Sequence, residues 1–322
     1  MSEQTIPVTV FQINLEAADV VSLHLRRDDG LPLPPVDPGA HVDVFMPGDI
    51  SRSYSLSNIP EDSGTYRLTI ARDVNSQGGS IYLHDKLRVG EKLQISAQHN
   101  NFKLVEDAPF SVFIAGGIGI TPFIPMISRL NETGQKWRLH YCVRTQSRAA
   151  LLNDLAALAA EGKGEVLYNF DEEPGGSILD LKAALSDLPA DTHAYCCGPV
   201  GMLDAYRAGA ADAGMPDERV HYEYFASNIE KSDAGGYTVV CDRSDVNVVV
   251  KPGKTILQAL SEAGLDVPSS CNEGICGSCE TRVISGEPDH RDMILSRKER
   301  AENKKIIICC SGSKSDTLVL DV

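Results

Sequence analysis

Apolar and polar positions alternate in a series of short stretches up to Ala97: VTVFQINLEA, VVSLHLRR, HVDVFMP, RSYSLSN, YRLTIAR and EKLQISA, with turn-forming text such as LPLPPVDPGA between them. A period of two buries one face of a strand and wets the other. Short strands at this spacing predict a small antiparallel barrel over residues 1–107. From Ala108 strands alternate with helix-length segments. SVFIAGGIGITPF leads into FIPMISRLNETG, WRLHYCVRT into RAALLNDLAALAAEG, and HAYCCGP into GMLDAYRAGAADAG. That alternation predicts a doubly wound parallel sheet flanked by helices over residues 108–226. The polar, glycine-ended SNIEKSDAGG predicts a linker over 227–235. Beyond it, YTVVCDRSDVNVVVKPG reads as a hairpin and TILQALSEAG as a short helix closed by Gly264, opening a third domain over 236–322. The fold class is thus α/β and β in several domains.

Composition narrows the class of function. A hydrophobic content of 42% supports sizeable cores. The apolar run Val112–Ile127 is broken by Gly116, Gly117, Gly119, Pro122 and Pro125, so it reads as a strand entering a turn and no membrane span is expected. The start MSEQTIPVTV has no basic or amphipathic targeting pattern, which makes the cytoplasm the expected location. The formal charge of −15 falls mainly before residue 231, where 18 Lys+Arg face 31 Asp+Glu, against 12 and 14 after it. Such a chain is poorly suited to nucleic acid or anionic membranes, and a basic protein face is a better electrostatic partner. Nine cysteines in a reducing compartment argue for metal or redox use of some of them.

The cysteine spacing is specific. Cys271-x4-Cys276-x2-Cys279 is followed after 29 residues by Cys309 and Cys310 in KKIIICCSGSK, the ligand pattern of plant-type [2Fe–2S] centres. Gly274 and Gly277 let such a loop approach a cluster closely. If residues 306–310 form a strand, Cys309 and Cys310 point to opposite faces, and Cys309 is taken as the fourth ligand. Structural zinc is the alternative, but it usually pairs two compact Cys pairs. Cys142, Cys196, Cys197 and Cys241 lie in apolar text, where a thiol acts as a small hydrophobe.

Two further motifs carry chemistry. In Arg52-Ser53-Tyr54-Ser55 a cation, a ring face and hydroxyls can meet a phosphate and a planar heterocycle. Gly78-Gly79-Ser80 stands at a helix start, where orphan N–H groups favour an anion. Gly116-Gly117-Ile118-Gly119-Ile120-Thr121-Pro122 sits where the first parallel strand hands over to its helix, the place of a pyrophosphate in this architecture, although it is not G-x-G-x-x-G. Cys197-Gly198-Pro199 closes another strand of the same sheet and would line the same crevice.

RSYS with GGS, GGIGITP with CGP, and CNEGICGSC with Cys309, in this order, resemble the phthalate dioxygenase reductase family, and SGEPDHRDMIL and LVLDV extend the likeness over essentially the whole chain. The resemblance implies an FMN-binding barrel, an NADH-binding domain and a C-terminal β-grasp ferredoxin domain. It places Arg52, Ser53, Tyr54 and Ser55 on the flavin strand, Ala71 and Arg72 on the adjoining one, and Gly78, Gly79 and Ser80 at the FMN phosphate. Thr121 and Phe225 would border the flavin, and Gly116, Gly117, Gly119, Cys197, Gly198 and Pro199 the nicotinamide nucleotide. Arg144 and Arg148 could hold a 2′-phosphate, which leaves NADPH open beside NADH. His290 receives no chemistry.

NADH gives up two electrons at once and a [2Fe–2S] cluster takes one, so the flavin must divide the pair. A plant-type cluster near about −400 mV lies below a Rieske centre at about −150 mV or higher, which directs electrons outward. The expectation is an NADH-dependent reductase serving, as a monomer, a separate Rieske-type aromatic-ring dioxygenase or O-demethylase. A cytochrome P450, a carnitine-type monooxygenase or a dehalogenase is the alternative acceptor.

Overall fold

The computed structural model describes residues 5–48, 50–59, 62, 64–73, 78–225, 231–269 and 271–322. Strands β1 (Ile6–Ala17), β2 (Val20–Arg27), β3 (His41–Met46), β4 (Ile50–Ser55), β5 (Tyr66–Ala71) and β6 (Lys92–Ile95) pair antiparallel in the order β4-β3-β6-β1-β2-β5. A bridge between Leu56 and Leu68 joins the two ends, closing the sheet into the expected barrel and removing its edges. Val8, Leu23, Val42 and Leu68 alternate into its fully buried interior. Helix α1 (Gly79–Asp85) follows β5.

The parallel sheet comprises β7 (Phe110–Gly116), β8 (Lys136–Val143), β9 (Lys163–Phe170), β10 (His193–Gly198) and β11 (Val220–Tyr224), in the order β11-β10-β7-β8-β9. Between them run α2 (Phe123–Thr133), α3 (Leu152–Glu161), α4 (Leu181–Leu185) and α5 (Val200–Asp212). Strand order reverses between β7 and β10, so a crevice opens at their C-terminal ends. Helix α2 buries Phe123, Ile124, Met126, Ile127 and Leu130 and ends at Gly134, whose φ of 72° suits a left-handed cap. The Phe113 ring lies 5.1 Å from Phe123 and 5.2 Å from Tyr195 at the centre of this core.

Barrel and parallel sheet form one compact unit, Met1–Phe225. Arg67 on β5, 5% exposed, donates Nε to the Ser57 carbonyl at 2.8 Å and pairs through Nη1 with Asp154 of α3 at 2.8 Å. The Ala18 N–H, between β1 and β2, donates to the Ser147 carbonyl at 3.0 Å.

The second unit, Ala226–Val322, contains β12 (Tyr237–Cys241), β13 (Val246–Val250), α6 (Ile256–Glu262), β14 (Glu280–Ser285), β15 (Pro288–Asp289), α7 (Arg297–Glu302), β16 (Lys305–Ile307), β17 (Gly312–Ser313) and β18 (Thr317–Leu320). Its main sheet runs β13-β12-β18-β14-β16, with β12 and β18 parallel. Thr255 caps α6 in a reciprocal pair with Gln258, and the helix packs Ile256 and Leu260 into a core with Val239, Ile306 and Leu318. Of the expected linker 227–235, residues 227–230 lie outside the described residues, and Ser232 N–H donates to the Cys310 carbonyl at 2.9 Å. Among the described residues no helix is long and apolar enough to cross a membrane.

Candidate cofactor sites

On β4 the side chains alternate. Arg52 and Tyr54 share the face against the first turn of α1: a Cβ placed on Gly79 would lie 2.7 Å from Arg52 Cγ and 3.4 Å from the Tyr54 hydroxyl. Glycine at 79 is what lets this turn sit there, and Gly78 precedes it with a φ of 102° that only glycine adopts readily. Burial raises the Tyr54 phenol to about 12, so it presents a neutral ring. Ser53 and Ser55 point the other way, and the Ser53 hydroxyl donates to Asp43 Oδ1 at 2.6 Å. The Ser80 hydroxyl accepts from Asp73 N–H at 3.1 Å. Arg72 is committed to Asp85, with Nη2 to Oδ2 at 3.0 Å. Ala71 and Phe225 both pack against the core of the parallel-sheet layer, as does Ile118. The cationic, aromatic and glycine positions thus converge, as a phosphate-bearing planar ligand requires.

At the crevice, Gly117–Ile120 forms a tight 3-10 turn between β7 and α2. The glycines there serve the protein first. A Cβ on Gly119 would meet the Cys197 carbonyl oxygen at 2.1 Å, and one on Gly116 would meet Pro199 at 2.7 Å and Met202 at 2.8 Å. Without side chains, the ends of β7 and β10 close on each other and bring Gly116–Thr121 beside Cys197–Pro199. Thr121 is 2% exposed, and its hydroxyl donates to the Ile118 carbonyl at 3.1 Å. The Cys197 thiol is fully buried and raised by burial, so the crevice is offered its backbone. Both candidate 2′-phosphate cations face carboxylates: Arg144 lies 3.6 Å from Glu172 and Arg148 3.8 Å from Asp19.

In the second unit Cys271, Cys276, Cys279 and Cys309 are each at most 8% exposed. Each thiol's acidity is shifted by a neighbour in the set: Cys276 by Cys271, Cys271 by Cys276 and Cys309, and Cys279 by Cys309. Cys276 is drawn down to about 6, first by the bond from Cys271, and Cys309 is held far down by those from Cys271 and Cys279. Cys271 and Cys279 are correspondingly raised. Among the described residues no three ligand-type side chains converge on one point. Four buried thiols with the plant-type spacing suit a binuclear centre held by four cysteines. Asn272, Gly274 and Gly277 have φ of 54°, 71° and 79°, so the glycines wind the loop through left-handed backbone as well as sparing space.

The strand expected over residues 306–310 stops short. Strand β16 ends at Ile307 and residues 308–310 form a turn, so strand alternation does not separate Cys309 from Cys310. Contact does: Cys309 reaches Cys271 and Cys279, whereas the Cys310 thiol faces the Ile307 carbonyl at 3.6 Å. Cys310 is raised, first by its bond with Cys309 and then by burial, with Asp292 adding to it. His290, left without chemistry, lies 3.2 Å from Asn303 Oδ1 and 3.9 Å from Asp292 Oδ1.

Sequence reasoning missed Glu223. It pairs in register with Cys197 across β10 and β11, two residues before Phe225. Its Oε2 is shut off from solvent with no hydrogen-bond partner, and burial raises its carboxyl to about 8. The signal was a lone acid inside the otherwise aromatic HYEYF.

Residues 239–313 match the family of 2Fe-2S iron-sulfur cluster binding domains, and residues 113–208 that of oxidoreductase NAD-binding domains. The structure of phthalate dioxygenase reductase, described as modular for electron transfer from pyridine nucleotides to [2Fe-2S], aligns with a TM-score of 0.72 at 33% identity, over 99% of this chain and 98% of that one. The chain belongs to the phthalate dioxygenase reductase family. The reductase is 46% identical to the tetrachlorobenzoquinone reductase of Sphingobium chlorophenolicum over 99% of its own chain and 98% of that one. It is 41% identical to the vanillate O-demethylase oxidoreductase of a Pseudomonas species, over 98% and 100%. The reductase is accordingly an oxidoreductase with an NAD-binding domain and a [2Fe-2S] domain.

Proposed function

We propose that the reductase takes electrons from NADH, passes them through FMN to a [2Fe–2S] cluster, and delivers them singly to a separate terminal oxygenase. That oxygenase is a Rieske-type enzyme acting on an aromatic ring, as dioxygenase or O-demethylase, and the reductase serves it as a monomer carrying all its redox groups in one chain. The observation that carries this reading is the buried set of Cys271, Cys276, Cys279 and Cys309, within a matched 2Fe-2S domain, on a chain that also has an NAD-binding domain. FMN would supply the one property neither neighbour has, acceptance of two electrons together and their release one at a time.

The chain's part is to hold and orient. Arg52 and the turn Gly78–Ser80 would take the FMN phosphate, and Ser55, Ala71, Thr121 and Phe225 would border its ring. The neutral Tyr54 phenol offers a face without adding charge. Gly116, Gly117, Gly119, Gly198 and Pro199 would receive the dinucleotide through backbone, with the buried Cys197 shaping the floor. Glu223 stands in register with Cys197, and burial raises its carboxyl to about 8.

The test is the visible spectrum of the purified, cofactor-replete protein before and after anaerobic NADH. Flavin and iron–sulfur absorbance that both bleach is the expected result. A protein that binds neither group after reconstitution would refute the reading.

A further inference from the structure

The segment SGEPDHRDMIL supplies none of the cofactor contacts named above, yet it contains a buried ionic group. Asp292 has a fully buried side chain. Its Oδ2 accepts from Ile294 N–H at 3.1 Å and Leu295 N–H at 2.7 Å, which folds the chain into a tight turn. Arg300 of α7 lies 3.5 Å from that carboxylate and also donates to the Asp292 carbonyl. Asp292 Oδ1 has no hydrogen-bond partner, and neither has Arg300 Nε. The turn is fastened to the cysteine loop on both sides. Met293 N–H donates to the Gly274 carbonyl at 3.0 Å, between Cys271 and Cys276, and Arg291 N–H donates to Ser311 Oγ at 3.1 Å, two residues past Cys309.

A buried carboxylate is costly unless it is paired and hydrogen-bonded, and Asp292 keeps one oxygen without a hydrogen-bond partner. We infer that Asp292 and Arg300 are positioning residues that clamp the cysteine loop and set the electrostatic potential within it, Asp292 opposing the arrival of an electron and Arg300 offsetting it. The inference rests on the reading that this loop holds a [2Fe–2S] cluster. Reduction by one electron, supplied in turnover by NADH through FMN, adds one negative charge to the held group. A fixed anion nearby in a poorly polarisable interior makes that addition harder, and a fixed cation makes it easier. Reduction potentials of such centres follow net charge and hydrogen bonding around the sulfurs.

Anaerobic redox titration of the full-length, cofactor-loaded protein, followed by visible and paramagnetic resonance spectra, tests this. Asp292→Asn keeps the acceptor that orders the turn and removes the charge, so the midpoint should rise, by about tenfold in the one-electron equilibrium, or about 59 mV. Arg300→Gln should lower it by less, since Arg300 is 38% exposed and partly screened. Arg300→Lys should stay near the wild type. Opposite signs for the two charge-removing variants are the signature, because a merely loosened loop would shift both the same way. Shifts of one sign, or none, overturn the inference. If Asp292→Asn fails to retain the cluster, Arg300→Gln decides alone, and an unchanged or raised midpoint overturns it. A wild-type protein that loads no cluster at all would be a failure of the underlying functional reading, recognisable before any variant is made.

Discussion

Glu223→Gln removes one ionisation and little else, so its effect on stability can be followed through pH. Burial raises the Glu223 carboxyl from 4.5 to about 8. Below 4.5 the group is protonated whether the chain is folded or not, and folding is not penalised. As pH rises above 4.5 the unfolded chain releases its proton while the folded chain keeps it until about 8, so the native state loses ground across that window. The loss is somewhat more than 1 kcal/mol per pH unit, which gives an upper bound of about 5 kcal/mol at pH 8. The residue as a whole keeps some exposure, and we expect about half of that bound. Glutamine cannot ionise and escapes the penalty. The assay is thermal unfolding of wild type and variant from pH 5 to pH 8. Taking the difference cancels His221, which burial lowers to about 4 and which acts in the opposite direction. The variant should match the wild type closely at pH 5 and melt about 5 °C higher or more at pH 8. A gap that does not widen with pH would show that Glu223 is not held neutral.

Two further outcomes are expected. Cys309→Ser should abolish the iron–sulfur absorbance and bound iron, while Cys310→Ser should retain both by metal analysis, and the reverse result would exchange their assignments. Glu172→Ala should free Arg144 and raise the ratio of kcat/KM for NADPH over NADH by about fivefold, the scale of an exposed ion pair worth at most about 1 kcal/mol; an unchanged ratio would remove Glu172 from nucleotide choice.

Most of the fold was legible where one periodicity dominates. The six barrel strands, β7, β8, β10, α2, α3, α5 and the β12–β13 hairpin fall on the stretches that period two or a helical repeat marked out. Strand β9 was passed over because an edge strand hides less apolar surface: Leu167 and Tyr168 are over 40% exposed. The cysteine set was legible because ligand spacing is a local property of the chain. Glu223 and Asp292 were not, since each owes its character to burial by elements distant in sequence, and an acidic letter in text carries no mark of its surroundings. The glycines of GGIGIT were noticed for a ligand, whereas the close approach of Gly119 to the Cys197 backbone became visible only when β7 and β10 lay side by side.

The pairing of Arg67 with Asp154 has a consequence for how such chains can be recombined. A crossover placed at the seam between barrel and parallel sheet, near residue 107, would appear to respect the boundaries of two ordinary folding patterns. It would nevertheless divorce a cation that is 5% exposed from one of the two carboxylates that answer it, leaving only Asp62 at 3.4 Å. A buried charge stripped of every partner costs about 3–5 kcal/mol, and Asp62 and the Ser57 carbonyl hold the loss of Asp154 to a fraction of that. Heredity and protein engineers alike should therefore find the first 225 residues passing between chains most readily as a single inheritance, and a hybrid cut at that seam should be more stable where both parents carry the same two charges.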